Sequence, residues 1–186
     1  FFRCVVLVMK IHSDDPEAFR LVYEKVFSTV LKVSYNITMD MDVSEDICQE
    51  AFIRFYHHTA PFPSQDQAKY WLIRVVKNLS LNYFKRRKRE RKAVENFSLQ
   101  PSNPTSEPET GEDALLKSET EKIVQKAISR LPKTLKSALV LKEYGGLSYK
   151  EIAKVLHITE NNVKVRVHRA RTQLEKFIEE EDVHVR

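Results

Sequence analysis

Residues 146–171 read Gly-Leu-Ser-Tyr-Lys-Glu-Ile-Ala-Lys-Val-Leu-His-Ile-Thr-Glu-Asn-Asn-Val-Lys-Val-Arg-Val-His-Arg-Ala-Arg, and few folds accept such a run. Ser148 followed by Glu151 is a capping box, the reciprocal pair that starts a helix. Ile152, Ala153 and Leu156 give that short helix an apolar face. His157, Ile158 and Thr159 form the turn, with Ile158 entering the core and Thr159 capping a second helix. On the second helix Val163, Val167, Ala170 and Leu174 recur at helical spacing. An advance of about 100° per residue puts Asn161, Asn162, Val165, His168 and Arg169 on the opposite face. Lys164, Arg166 and Arg171 then stand on its flanks. The pattern is a helix-turn-helix whose outward face suits a major groove. Amides and arginines make bidentate bonds to base edges, an outward Val touches a thymine methyl, and flanking cations hold phosphates. A basic, solvated helix in an ordinary bundle would carry similar charge. The capped first helix, the short turn and the outward Asn/Arg face favour duplex DNA.

The rest of the chain is consistent with helices throughout. Three glycines in 186 residues argue against phosphate-cradling loops and tight hairpins, and helical periodicity dominates, so the expected fold is all-α. The net charge of +5 suits a polyanion only weakly, because the charge is uneven. Basic residues crowd 74–92 and 164–171, while 107–121 and 179–182 are acidic. Cys4 and Cys48 form neither a CxxC pair nor a zinc pattern, which points to a reducing compartment. His57 and His58 are adjacent and diverge on a helix, with no third ligand in view, so no metal and no cofactor is expected. Residues 1–9 are apolar but far short of the roughly 20 needed to span a bilayer, and they lack a cleavage site. Met9 resembles a natural start, with residues 1–8 upstream of it, and no membrane insertion and a cytoplasmic location are expected.

After Phe97 the composition changes. Residues 98–113 are rich in Pro, Ser, Thr and acid and have little to bury, so they are expected to form a flexible, extended tether. The blocks on either side are amphipathic. Asp14 or Asp15 caps the first helix, with Pro16 and Glu17 in its first turn. Asp42 or Ser44 is positioned to cap a second helix reaching about His57, with Ile47, Cys48, Ala51 and Phe55 inward. Its outward face carries Asp46, Gln49, Glu50 and Ile53, with Glu45 and Phe52 at the edge. An isoleucine amid carboxylates and an amide resembles a protein-docking surface, although a solvated acidic face reads equally well from these residues alone. Glu45, Asp46 and Glu50 as metal ligands is a weaker reading, because no converging set accompanies them.

A further helix begins near Gln67, with Ala68, Leu72, Val75, Val76, Leu79 and Tyr83 inward. Opposite them stand Tyr70, Arg74, Lys77, Asn78, Leu81 and Lys85, with Trp71 and Phe84 toward the edges. The basic run 85–92 follows. Aromatic rings among cations suit an unpaired strand: bases stack on the rings and the charges track the backbone. The loop of residues 60–67 is placed to border a pocket for an extruded base. Trp71 alone would read as a packing residue, and the basic run alone as a frayed helix end.

Three stretches then carry a resemblance. Asp46-Ile-Cys-Gln-Glu-Ala-Phe52, Tyr70-Trp-Leu-Ile-Arg-Val-Val-Lys-Asn78, and 147–153 with 163–171 resemble, in order, the signatures of bacterial sigma-70 family sigma factors. The short, two-domain form resembles the extracytoplasmic-function (ECF) group, and residues 131–141 resemble the segment preceding that family's helix-turn-helix. The resemblance implies a region 2-like domain at 9–95, a linker at 96–118 and a region 4-like helix-turn-helix domain at 119–180. It implies that Asp46, Gln49, Glu50 and Phe52, with Ile53 beside them, bind core RNA polymerase. Tyr70, Trp71, Arg74, Lys77, Asn78 and Lys85 would contact the unpaired minus-ten promoter element. Asn161, Asn162, Lys164, Val165, Arg166, His168, Arg169 and Arg171 would contact the duplex minus-thirty-five element. An anti-sigma factor is an implied partner, and no catalytic residue is expected.

The chain departs from the family pattern where Ser64 replaces a usual Gly, where Ala68 replaces an aromatic, where Asn161-Asn162 replaces Gly-Thr or Gly-Ser, and at Val165. A different promoter preference is therefore expected. The rival readings are a helix-turn-helix regulator that binds duplex without joining polymerase, and a metal-dependent nuclease built on Glu45, Asp46 and Glu50.

Overall fold

The structure, a computed structural model, describes residues 10–97 and 119–185. These form α1 (Pro16–Thr38), α2 (Met41–Tyr56), α3 (Gln65–Phe97), α4 (Glu119–Arg130), α5 (Lys133–Glu143), α6 (Tyr149–Leu156) and α7 (Glu160–Val185). The expected all-α fold is what forms. Among the described residues the extended backbone pairs at an isolated bridge, Ile11 with Phe62, which ties the segment before α1 to the α2–α3 loop. The expected tether and the expected start at Met9 lie outside the described residues.

Helix α1 starts where the sequence signals place it. The Asp15 carboxylate accepts from the Glu17 amide at 3.2 Å, and Pro16 follows the cap. Val22, Val26, Val30, Val33 and Ile37 then form an unbroken buried stripe. The start of α2 differs from expectation. Asp40, not Asp42 or Ser44, caps it, accepting from the Val43 amide at 3.1 Å. Met39 takes a left-handed turn at φ 59°, so the link from α1 is short and the helix begins early. Ser44 consequently falls inside the first turns and is buried, 2.7 Å from the Thr38 hydroxyl. Ile47, Cys48, Ala51 and Phe55 are buried as the periodicity requires. Burial and Glu45 push the Cys48 thiol up to about 12, so it is a packing group and not a nucleophile.

Helix α3 begins two residues before Gln67. The Ser64 hydroxyl accepts from the Gln67 amide at 3.3 Å, a capping role that glycine could not fill. Ala68, Leu72 and Val76 are fully buried, whereas Val75, Leu79 and Tyr83 are half-buried. Helices α1, α2 and α3 pack on one another, and α4, α5 and α6 each pack on α7 or on its neighbour α5. The turn after α5 needs its glycines: a Cβ on Gly145 would stand 2.6 Å from the Leu141 carbonyl, and Gly146 has φ +66°. Arg130 secures the far end of α7, bonding Glu180 at 2.7 Å and lying 4.1 Å over the Phe177 ring. One continuous buried cluster runs from Val22 of α1 to Val167 of α7, so the second helical group packs directly against the first.

Candidate nucleic-acid interface

The helix-turn-helix forms from the residues that signal it. The Ser148 hydroxyl accepts from the Glu151 amide at 3.3 Å, while the Ser148 amide donates to the Glu151 carboxylate at 2.8 Å. The Ser148 hydroxyl, before any other group, holds the Glu151 carboxyl below its ordinary value; burial opposes this, and the Ser148 amide, Lys154 and Lys69 add to it. Helix α6 ends at His157, whose left-handed φ of 55° turns the chain, and its amide donates to the Ala153 carbonyl. The Thr159 hydroxyl accepts from the Asn162 amide at 3.3 Å and so opens α7. Val163, Val167 and Ala170 are buried beneath, with Leu174 half-buried.

Asn161, Asn162, Lys164, Val165, His168, Arg169 and Arg171 are exposed, and Arg166 is half-buried. Val165 is 45 % exposed, an apolar side chain held in water between the sealed Val163 and Val167. Two of the flanking cations have partners on the protein. Lys164 lies 3.3 Å from Glu160, and the Arg171 Nε donates to Glu143 at 3.2 Å.

The α3 surface is only partly as the sequence suggests. Arg74, Asn78 and Lys85 are exposed. Tyr70 and Trp71 are half-buried, and Trp71 packs against Phe55, Phe62 and His58, with ring centroids at 6.2, 5.8 and 5.1 Å. Phe62 itself is buried, so this loop residue is part of the core. Lys77, expected to face outward, is only 6 % exposed. The reason is tertiary: α6 covers it, and its ammonium donates to the Val155 carbonyl at 3.0 Å and to the Asn78 side-chain oxygen at 3.3 Å. Ile73, one turn earlier, is also completely buried.

On α2, Glu45, Asp46, Gln49 and Ile53 are exposed, Ile53 by 54 %, and Glu50 is half-buried in an ion pair with Arg54 at 2.7 Å. Phe52 is not at an exposed edge. It is 5 % exposed within a ring cluster that includes Phe19, Tyr23 and Phe27, because α1 brings its aromatic turn across α2. Between α2 and the basic stretch of α3 runs an open groove of about 920 Å³, with Asp46 and Glu50 on one wall and Lys85, Arg86 and Arg89 on the other. Among the described residues no three His, Cys, Asp or Glu side chains gather closely enough to hold a metal ion. His58 bonds instead to the Ala60 carbonyl at 2.8 Å.

The Sigma-70 region 2 family model matches residues 22–90, and the Sigma-70, region 4 model matches residues 121–174. The RNA polymerase sigma-H factor of Pseudomonas aeruginosa is 30 % identical over 178 residues, covering 93 % of this chain and 92 % of the relative. The chain belongs to the sigma-70 family. Its relatives place it in the ECF group: the ECF RNA polymerase sigma-E factor of Escherichia coli is 29 % identical over 179 residues, covering 94 % of this chain and 93 % of the relative. The fold agrees with two solved structures. The sigma factor RpoE, in complex with the anti-sigma factor NepR from Bartonella quintana, matches with a TM-score of 0.63 at 20 % identity, covering 88 % of this chain and 98 % of that one. CnrH, in complex with the cytosolic domain of CnrY, gives 0.59 at 17 % identity, covering 90 % and 92 %.

As an ECF sigma factor, the chain is a transcription initiation factor, and the reading as a separate duplex-binding regulator is not favoured. No described helix is long and apolar enough to cross a membrane. The burial of Lys77 and Ile73 escaped the sequence reading. One signal was present: Tyr70, Trp71, Leu72, Ile73, Val75 and Val76 place apolar side chains around nearly the whole circumference of α3, and a helix apolar all round is a buried one.

Proposed function

We propose that this ECF sigma factor uses three surfaces. The α2 face of Asp46, Gln49, Glu50 and Ile53 docks core RNA polymerase. The α3 face of Tyr70, Trp71, Arg74, Asn78 and Lys85 holds the unpaired minus-ten strand, with Lys77 joining it once uncovered. The α7 face of Asn161, Asn162, Val165, His168 and Arg169 reads the minus-thirty-five duplex, with Lys164 and Arg166 toward phosphates and Arg171 at the margin. The protein adds no catalytic group of its own: it supplies recognition and strand opening while the polymerase performs the chemistry, inside the cytoplasm. Phe52 supports the docking face from within by fixing α2 against α1. An anti-sigma factor is a fitting partner, since the RpoE and CnrH structures both contain a bound second protein.

The observation that carries the docking surface is Ile53, a 54 % exposed isoleucine ringed by Gln49, Glu50 and Arg54. An apolar centre with a polar rim is the anatomy of a protein interface. The test is reconstitution: the purified chain should bind core polymerase and direct transcription from promoters selected from a random pool. A Gln49→Ala, Ile53→Ala double variant should bind core more weakly by a few kcal/mol, as for desolvated interface centres, with duplex binding unchanged. Equal core affinity for the two, with both folded, would overturn the docking assignment.

A further inference from the structure

The groove between α2 and α3 holds about 920 Å³, within the range of small-molecule and cofactor sites. Its floor is apolar, with Ile47 8 % exposed and Leu79 half-buried. Its walls carry opposite charge. Asp46 and Glu50, one turn apart on α2, form the first. Lys85, Lys88, Arg89 and Lys92 form the second, and spacings of three or four residues set them along one face of α3. From Lys85 to Lys92 that stripe runs about 10 Å, at the helical rise per residue.

The two walls do not neutralise each other. Glu50 pairs with Arg54 of its own helix at 2.7 Å, and Arg86, the remaining cation of the groove, pairs with Glu90 at 3.5 Å. Lys85, Lys88, Arg89 and Lys92 are exposed and pair with no carboxylate of the described residues. Like charges at these spacings repel, so the stripe gains from an anion laid among them. The facing carboxylates are acceptors, which a neutral donor satisfies and a second anion would not. A molecule filling the gap therefore has an anionic end, hydroxyl donors opposite it and an apolar face for the floor.

We propose that the α2–α3 groove binds a ribonucleoside triphosphate. Its phosphates lie along Lys85, Arg89 and Lys92 as charge-assisted hydrogen-bond acceptors. Its ribose hydroxyls donate to Asp46 and Glu50, the pairing by which carboxylates hold ribose in dinucleotide sites. Its base stacks on the half-buried Tyr83 ring, where the exposed Asn82 amide reaches a base edge. A nucleic-acid strand fits this groove less well, because its continuous backbone would set phosphates against Asp46 and Glu50. The site shares Asp46, Glu50 and Lys85 with the proposed docking and strand surfaces but rests on neither reading.

Calorimetric titration of the full chain with ATP and with GTP, free of divalent cations, tests this. The other probes are tripolyphosphate and the 2′,3′-dideoxy form of each nucleotide. At least one nucleotide is expected to bind, its dideoxy form several-fold more weakly and tripolyphosphate more weakly still. Arg89→Ala is expected to weaken nucleotide binding about tenfold, the order of a lost charged hydrogen bond. Asp46→Ala should abolish the preference over the dideoxy form and, by removing a repelling charge, tighten tripolyphosphate. Both positions are exposed, so neither change opens the core. Lys32→Ala, which removes the same charge from an exposed position of α1, should change nothing. Binding of neither nucleotide overturns the proposal. So does tripolyphosphate binding as tightly as the nucleotide, which would show a polyanion surface only, or Arg89→Ala behaving like Lys32→Ala.

Discussion

Arg171 of α7 reaches back 28 positions to Glu143 at the end of α5, donating through both Nε and a terminal nitrogen to the same carboxylate oxygen. The pair ties the middle of α7 to the end of α5. Arg171 is thus a side chain on the flank proposed to face DNA, and its charge already has a partner.

Removing Arg171 is expected to matter less for DNA than removing its neighbour. Both members of the pair are about half exposed, so Arg171→Ala should lower stability by less than about 1 kcal/mol. Arg169→Ala should relax preference at one position of the minus-thirty-five element by roughly 1–3 kcal/mol. Lys164→Ala should instead weaken all duplexes alike and flatten the salt dependence. Titrations of selected and scrambled duplexes across salt separate the three outcomes. A larger loss of base discrimination from Arg171→Ala than from Arg169→Ala would reverse the assignment.

Phe52 and Ile53 are adjacent, one inside and one outside. Phe52→Ala empties part of the ring cluster with Phe19, Tyr23 and Phe27 and is expected to cost about 3–5 kcal/mol of stability. Ile53→Ala is expected to change stability by no more than about 0.5 kcal/mol, because it is a surface position. Denaturant unfolding of the two variants checks the contrast, and comparable losses would mean that Ile53 is also a packing residue.

The capping box makes the helix-turn-helix acid-sensitive. Glu151 has its pKa lowered on folding, chiefly by the Ser148 hydroxyl, so it stabilises the fold fully above the ordinary carboxyl value near 4.5. That contribution is lost as pH falls through the lower folded value. Ser148→Ala should cost about 1 kcal/mol at neutral pH and shrink the acid-dependent loss. Thermal melts from pH 7 downward for parent and variant provide the measurement; parallel pH profiles would remove Glu151 from the account.

Trp71 holds three rings together and Arg74 holds none, so their effects on promoter opening should differ in kind. Arg74→Ala should reduce open-complex formation on duplex promoters and recover much of the activity on a template already unpaired at the minus-ten element, where the unstacking cost is met. Trp71→Ala should lose stability as well, through its contacts with Phe55, Phe62 and His58. Equal failure of Arg74→Ala on both templates would place its role in folding or docking.

The sequence alone determined the helix-turn-helix nearly residue by residue: the Ser148–Glu151 box, the turn at His157 to Thr159, the stripe of Val163, Val167 and Ala170, and the exposed face between. These are local features, set by backbone capping and a 3.6-residue period that neighbours in sequence reveal. Of α1 it determined only the start, at Asp14 or Asp15, and it set the cap of α2 two to four residues late, because Asp40 competes with Asp42 and Ser44 and a left-handed Met39 decides among them. What only the tertiary structure decided lies between distant segments. Phe52 is inside because α1 crosses α2, and Lys77 is inside because α6, 78 positions away, covers α3. An amphipathic pattern tells which side of a helix is apolar; it does not tell that a second side, carrying a lysine, will be covered by a partner whose sequence shares no period with it. That burial is set by the fit of two surfaces, and the fit exists only in three dimensions.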